Sequence, residues 1–168
     1  TPNFVACHVQ AYLHMYDVTR GLQKNGTFLL NTIFEGEELV NFIPNKVKRY
    51  FAQNNITVYY INATKIAQEI GLGNRTNTIL QSAFFRITGV IPIDLAIEQM
   101  KKFIVKSYGK KGQDVVDKNY AAVDRGDEYK QLTVDPTWAN LEDDKIVEDD
   151  APAFVKELVR PINAQAGD

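Results

Sequence analysis

The sequence has 168 residues, of which 45% are hydrophobic and 24% are charged, and its formal net charge is −2. This length allows one domain with its own core, and a single cysteine, Cys7, excludes a disulfide framework within the chain. No apolar run approaches the ~18 residues of a membrane span, and basic residues do not alternate with aromatic ones as in nucleic-acid readers. We therefore expect neither a membrane nor a nucleic acid as a partner.

The first sixty residues alternate between strand and helix signals. Apolar, β-branched and aromatic runs predict strands at Phe4–Cys7, Thr27–Asn31 and Ile56–Ile61. Between them, helical patterns cover Val9–Lys24, with a break near Asp17, and Glu37–Asn54. Pro44 should divide the second of these helices, because proline cannot donate a backbone hydrogen bond inside a helix.

Helices dominate the rest of the chain. Asn62 should cap one helix, which Gly71 ends, and Thr76 or Asn77 should cap the next, which Gly89 ends. Pro92 opens a long helix that ends before the turn at 109–112, and a last long helix follows that turn. Their inward residues are predicted to be Ile93, Ile97, Met100, Ile104 and Tyr108, and then Val115, Val116, Asn119, Ala122, Val123 and Gly126. A short helix is also predicted at Phe154–Val159.

This order of elements predicts an α/β fold. We expect three layers, α/β/α, with a mostly parallel sheet and a helix-rich C-terminal half. Three strands make a narrow parallel sheet, so the sheet is predicted to be incomplete and the chain to be part of a longer protein. The domain should span residues 1–133, and residues 134–168 should form an acidic loop and linker, since 142–150 hold six acidic residues and one lysine.

One connection has the composition of an anion-binding site. Glycines before a helix start let the backbone approach a ligand, and the helix start offers free N–H groups beside an arginine. The candidate residues are Gly71, Gly73, Asn74, Arg75 and Asn77. The alternative is a helix cap, a tight connection and a surface arginine, and spacing alone does not separate the two.

Other reactive groups favour structural roles. Cys7 and His8 are adjacent on a predicted strand, so their side chains should point to opposite faces and not form a nucleophile and base. His8 and His14 are too few for a metal site, and we predict no catalytic residue in the chain. The lysines at 101, 102, 106, 110 and 111 indicate either a solvated helix face or a patch that attracts an anionic partner. The acidic run at 142–150 is interpreted as a solvated linker.

Several segments resemble a known family. They lie at 16–31, 66–75 (IAQEIGLGNR), 77–85 (NTILQSAFF), 108–112 (YGKKG), 119–125 (NYAAVDR) and 159–162 (VRPI). They are similar to the central, gamma-type domain of pyruvate:ferredoxin (flavodoxin) oxidoreductase, a single-chain enzyme. In that family a glycine-rich strand, turn and helix would precede Thr1.

The resemblance implies conversion of pyruvate and coenzyme A to acetyl-CoA and carbon dioxide. Thiamine diphosphate with Mg would carry out the carbanion chemistry, and 4Fe-4S clusters would pass electrons to ferredoxin or flavodoxin. It further implies other domains of the same polypeptide as partners, a homo-oligomeric parent, and a cytoplasmic location or a hydrogenosome-like organelle in a eukaryote. This region itself would support domain packing and coenzyme A binding. Two alternatives remain: a gamma subunit of a multi-chain 2-oxoacid oxidoreductase, and a purely structural interaction module.

Overall fold

The computed structural model describes residues 3–8 and 15–144. This part of the chain forms two compact units: one runs up to Tyr60 and resumes at Lys130, and the other is Ile61–Tyr129. The start of the helix predicted at Val9–Lys24 and the short helix predicted at Phe154–Val159 lie outside the described residues. The division into residues 1–133 and 134–168 stays a prediction.

The first unit is built on an open sheet. Its strands, in spatial order, are β1 (Phe4–His8), β2 (Thr27–Asn31), β3 (Thr57–Ile61) and β4 (Lys130–Leu132). β1 and β2 are parallel, and β3 and β4 are antiparallel. The predicted α/β class and the mostly parallel sheet are confirmed. β4 was not predicted, because three residues with two exposed side chains give no strand periodicity.

The core of the first unit surrounds β2. Phe28, Leu29 and Leu30 are consecutive and fully buried, so both faces of this strand are covered. The helices of the unit are α1 (Met15–Thr19), α2 (Gly36–Phe42) and α3 (Asn45–Gln53). Pro44 separates α2 from α3 as predicted, and α3 contributes Phe51, whose ring centre lies 5.5 Å from that of Phe28.

A C-terminal segment of this unit runs along α3. After a 3₁₀ helix at Pro136–Asn140, the main chain passes Arg49, whose guanidinium donates to the Leu141 carbonyl and pairs with Asp143 at 2.7 Å. The Asn45 N–H, at the start of α3, donates to an Asp144 carboxylate oxygen at 2.7 Å. The described start of the acidic run, residues 142–144, is exposed, and the carboxylates of Asp143 and Asp144 bind α3. Residues 145–150 lie outside the described part.

The second unit is helical. It contains α4 (Ala63–Ile70), α5 (Asn77–Thr88), α6 (Ile93–Tyr108) and α7 (Gln113–Asp124), and 3₁₀ helices at Gly109–Lys111 and Arg125–Asp127. The helix boundaries predicted from the Asn, Pro and Gly residues are confirmed, since Asn62 accepts from the Lys65 N–H and Gly71 and Gly89 end their helices with positive φ. None of the helices in the described residues is both long and apolar enough to cross a membrane.

The buried stripe of α6 differs from its prediction at one position. Met100 and Ile104 are buried, with Ile97 and Tyr108 packed around them. Ile93, however, is 37% exposed, and Ala96 is buried in its stead at 1%. Ile93 is the first residue of the helix, so no preceding turn of α6 extends the packed surface beyond it.

Gly126 marks the tightest approach in the second unit. A Cβ built on Gly126 would overlap the side chain of Ser82 and lie 3.0 Å from the Ala83 nitrogen. The Ser82 hydroxyl is already engaged, because it donates to the Val123 carbonyl at 2.5 Å. The close contact between α5 and the 3₁₀ helix that follows α7 therefore depends on the missing side chain at this position.

We predict that Gly126→Ala destabilises the packing of α5 against α7 by roughly 1–3 kcal/mol, the usual cost of forcing a methyl into a filled core. Gly109→Ala is the matched control, because its Cβ would lie an ordinary 3.8 Å from Val105 and its φ is −55°. Hydrogen exchange of the α5 and α7 amides measures both effects. Equal protection in the two variants would contradict the packing account.

Candidate functional site

The connection between α4 and α5 is a tight loop built on two glycines. Gly71 has φ +87° and Gly73 has φ +65°, both in the left-handed region that side chains disfavour. Between them, Leu72 is buried, and its N–H donates to the Ala67 carbonyl at 2.8 Å. The loop is therefore anchored by Leu72, while the glycines allow the chain to turn on either side of it.

The predicted site residues all lie on this loop and the start of α5. Arg75 donates its backbone N–H to the Leu72 carbonyl at 3.2 Å, and its side chain is exposed. Gly73, Asn74 and Asn77 are exposed as well. Thr76 is the N-cap of α5 but forms no side-chain cap, so the first N–H groups of a 12-residue helix remain open beside Arg75. The arrangement presents partial and full positive charge to solvent.

A second cation reaches the loop from a distant part of the sequence. A Cβ on Gly71 would lie 3.1 Å from Lys118 Cε and 3.4 Å from its Nζ, so this α7 lysine runs directly over the loop. Lys118 also pairs with Asp114 at 3.2 Å, one helical turn earlier. Sequence reasoning missed Lys118, because nothing local to α7 indicates which helix its side chain crosses.

The end of α4 is held by an arginine between two carboxylates. Arg125 pairs with Glu69 at 2.8 Å and with Glu128 at 2.6 Å. The hydrogen bond from Arg125 holds the pKa of Glu128 below its ordinary value, and the two carboxylates raise the pKa of Arg125. Since Glu69 lies two residues before Gly71, this pairing fixes the direction from which the chain enters the loop.

A cleft in the first unit has the opposite charge. It is open, has a volume of about 560 Å³, and is lined by Glu35, Glu37, Glu38, Tyr60 and Lys130. Lys130 pairs with Glu35 at 3.2 Å, which leaves two carboxylates unbalanced. Such a cleft repels an anionic ligand, so charge favours the loop before α5 as the site for one.

The described residues do not form a metal centre. Among residues 3–8 and 15–144, no three His, Cys, Asp or Glu side chains are grouped closely enough to hold an ion. Cys7 and His8 are consecutive residues of β1, whose backbone register pairs them with Leu30 and Asn31 of β2, and His14 lies outside the described part. One cysteine in the whole sequence cannot supply the four thiolates of a usual iron–sulfur cluster.

Comparison with known proteins identifies the family. Residues 1–129 match the family described as pyruvate ferredoxin/flavodoxin oxidoreductase. The chain belongs to this family. It is 43% identical to a pyruvate-flavodoxin oxidoreductase of Enterobacter agglomerans and 42% identical to a pyruvate:ferredoxin oxidoreductase of Moorella thermoacetica, in each case over 99% of this chain. The resemblance noted from the sequence segments is thereby confirmed, and the chain belongs to an oxidoreductase family.

The oxidoreductase relatives are much longer than this chain. It spans 14% of the length of both the Enterobacter and the Moorella proteins. A similar solved structure is the pyruvate oxidoreductase subunit PORC of Thermotoga maritima, with 26% identity and a TM-score of 0.59. That match covers 77% of this chain and 65% of the subunit. The fold therefore occurs both within long polypeptides and in a protein described as a subunit.

The pairing of Arg125 predicts an acid-sensitive loop entry. Because the folded-state pKa of Glu128 is lowered, its stabilising effect is complete above its ordinary value of 4.5 and is lost as the pH falls below that value. Glu128 is 44% exposed, so solvent screening limits the effect to about 1 kcal/mol or less. We expect Glu128→Gln to remove this pH dependence.

Hydrogen exchange of the α4 amides at pH 6 and pH 3.5, corrected for intrinsic rates, measures the loss. Glu98→Gln is the control, since Glu98 pairs with Lys102 on α6 at 3.1 Å and has no link to α4. If the unmodified protein and Glu128→Gln lost α4 protection equally at low pH, the proposed origin of the sensitivity would be wrong.

Proposed function

We propose that this chain is a region of a longer pyruvate:ferredoxin oxidoreductase, in which it supports domain packing and helps bind coenzyme A. The reaction of the longer protein would convert pyruvate, coenzyme A and oxidised ferredoxin or flavodoxin into acetyl-CoA, carbon dioxide and reduced acceptor. The assignment of pyruvate and of the acceptor is supported by the relatives, which are a pyruvate-flavodoxin and a pyruvate:ferredoxin oxidoreductase. A homo-oligomeric, cytoplasmic or hydrogenosome-like parent stays part of the proposal.

The cofactors of the reaction would be held by other parts of the longer protein. Thiamine diphosphate with Mg would supply the carbanion chemistry, and 4Fe-4S clusters the electron transfer. The donor set of this chain fits neither group, with one cysteine in the sequence and no grouped metal ligands among the described residues. We therefore propose that these residues bind a ligand and do not catalyse the reaction.

The observation that carries the proposal is the convergence of positive charge on the loop before α5. Coenzyme A carries phosphate groups, which match free helix N–H groups and a bidentate guanidinium. Arg75 would contact a phosphate, and the Gly71–Asn74 backbone would approach it closely. Lys118, whose Cε lies 3.1 Å from the Cβ position of Gly71, would add charge from the other side. Asn77 would hydrogen-bond a phosphate or adenine group.

Two alternative functions predict different properties for the chain. The similarity to the PORC subunit, over 77% of this chain, favours a gamma subunit of a multi-chain 2-oxoacid oxidoreductase. The near end-to-end match to much longer polypeptides favours the single-chain form. A purely structural module would use the same loop to hold a neighbouring domain, and it would bind no ligand there.

We predict that Arg75→Ala weakens coenzyme A binding to the full-length enzyme by roughly 10- to 100-fold, the loss of a charge-assisted hydrogen bond. Isothermal titration with coenzyme A measures it. Arg20→Ala is the matched control, because Arg20 is an exposed arginine that belongs to the first unit and is not part of the loop. Unchanged affinity and unchanged pyruvate turnover in Arg75→Ala would overturn the proposal, and weaker assembly with intact affinity would support the structural module.

We also predict that the 168-residue chain alone catalyses no pyruvate-dependent reduction of a viologen dye, since the cofactor-binding groups are expected elsewhere. The full-length enzyme under the same anaerobic conditions is the positive control. Measurable turnover by the chain alone would contradict the assignment of the chemistry to other regions.

A further inference from the structure

The exposed apolar side chains of the described residues are concentrated on and beside α6. Six large hydrophobic residues are exposed, and five of them lie between residues 90 and 105: Val90, Ile93, Leu95, Phe103 and Val105. Phe103 is the most exposed of the six, at 65%. Single exposed apolar residues are common on protein surfaces, but two large apolar side chains exposed on the same side of one helix, as Leu95 and Phe103 are, indicate a contact surface.

The packing of α6 within its unit leaves one side of the helix uncovered. Its inward side is buried through Ala96, Met100 and Ile104. Leu95, Gln99 and Phe103 are spaced by four residues, so they form a row along a different side. All three are exposed. We call this row the outer row of α6. A helix with apolar residues on two sides normally has packing partners on both.

Positive charge surrounds the outer row. Residues 101–111 contain five lysines and no acidic residue. Lys102 and Lys106 flank Phe103 at a helical spacing of one and three residues. Within the described residues, Lys101 pairs with Asp124 and Lys102 with Glu98, whereas the ion pairs include neither Lys106 nor Lys110. The surface therefore carries two exposed apolar side chains, Leu95 and Phe103, and an excess of positive charge at its C-terminal end.

We propose that the outer row of α6 docks against an acidic surface with apolar side chains, which belongs to another region of the same polypeptide beyond these 168 residues. We infer that the partner surface is negatively charged, because carboxylates would complement the positive charges of Lys106 and Lys110. The length of the relatives supplies the candidate, since this chain spans 14% of proteins to which it is 43% and 42% identical. The inference rests on the proposed function in one respect, that the chain is part of a longer protein.

Zero-length carbodiimide cross-linking of the full-length protein tests the proposal, because it joins a lysine to a carboxylate in direct contact. We expect Lys106 or Lys110 to be linked to an Asp or Glu outside these 168 residues. Phe103→Asp should lower the yield of that link roughly tenfold, since it places a buried charge among carboxylates. A link confined to carboxylates within the 168 residues, or no link, would overturn the proposal.

Val105→Asp is the matched control on the same helix. Val105 follows Phe103 by two residues on the α-helix, so the two side chains point about 160° apart around the helix axis. The side chain of Val105 is 48% exposed. The yield should be unchanged in this variant, and an equal loss in both would show that the outer row is not the docking surface. The internal link between Lys101 and Asp124, which are 3.0 Å apart, reports in every variant that α6 and α7 still pack.

Docking and coenzyme A binding are separable in this design. Arg75→Ala should leave the cross-links from Lys106 and Lys110 at their original yield, because Arg75 lies before α5 and not on α6. Cross-links that persist while Arg75→Ala keeps full coenzyme A affinity would support the docking surface and reject the ligand proposal. The reverse result would reject the docking surface alone.

Discussion

The packing of the first unit depends on the burial of β2 on both of its faces. Phe28 and Leu30 belong to the same core as Phe51, and Leu29, between them, is buried on the other face. A strand in this position cannot slip by one residue without exchanging its two buried faces. Its register with β1, which places Phe4 opposite Thr27 and His8 opposite Asn31, is fixed for the same reason. The remaining strands and helices of the unit take their places around it.

The candidate ligand loop depends on a different kind of constraint. Few apolar contacts hold it, and its conformation comes from two left-handed glycines, the buried side chain of Leu72 and the pairing of Arg125 at the end of α4. These anchors act on the main chain and leave the side chain of Arg75 exposed. An anchored backbone with an exposed cation would suit the proposed recognition of a phosphate ester, because few groups would have to be ordered on binding.

Local signals were sufficient to predict most of the elements. Pro44, Gly71 and Gly89 act through their own backbone, and Asn62 acts through a side chain that accepts from an N–H three residues later, so the helix boundaries they set were predictable from neighbouring residues. Features made by residues far apart in the sequence were not. The short strand β4 exists through its partner β3, Lys118 reaches Gly71 across more than forty positions, and Asp144 meets Asn45 across 99. The exposed Ile93 shows that helical periodicity predicts which side of α6 is buried, but not where along the helix the packed surface ends.

The antiparallel pair formed by Tyr60 and Lys130 has a consequence for the order of folding. All of Ile61–Tyr129, the second unit, is the connection between these two facing residues. During synthesis the ribosome completes β1, β2 and β3 well before β4 emerges. Pairing of β4 also closes a long loop. The chain loses conformational entropy in this step before the few hydrogen bonds of β4 can offset the loss. The outer edge of β3 is therefore uncovered in the nascent chain, and this is where a folding helper or a misplaced strand would first bind.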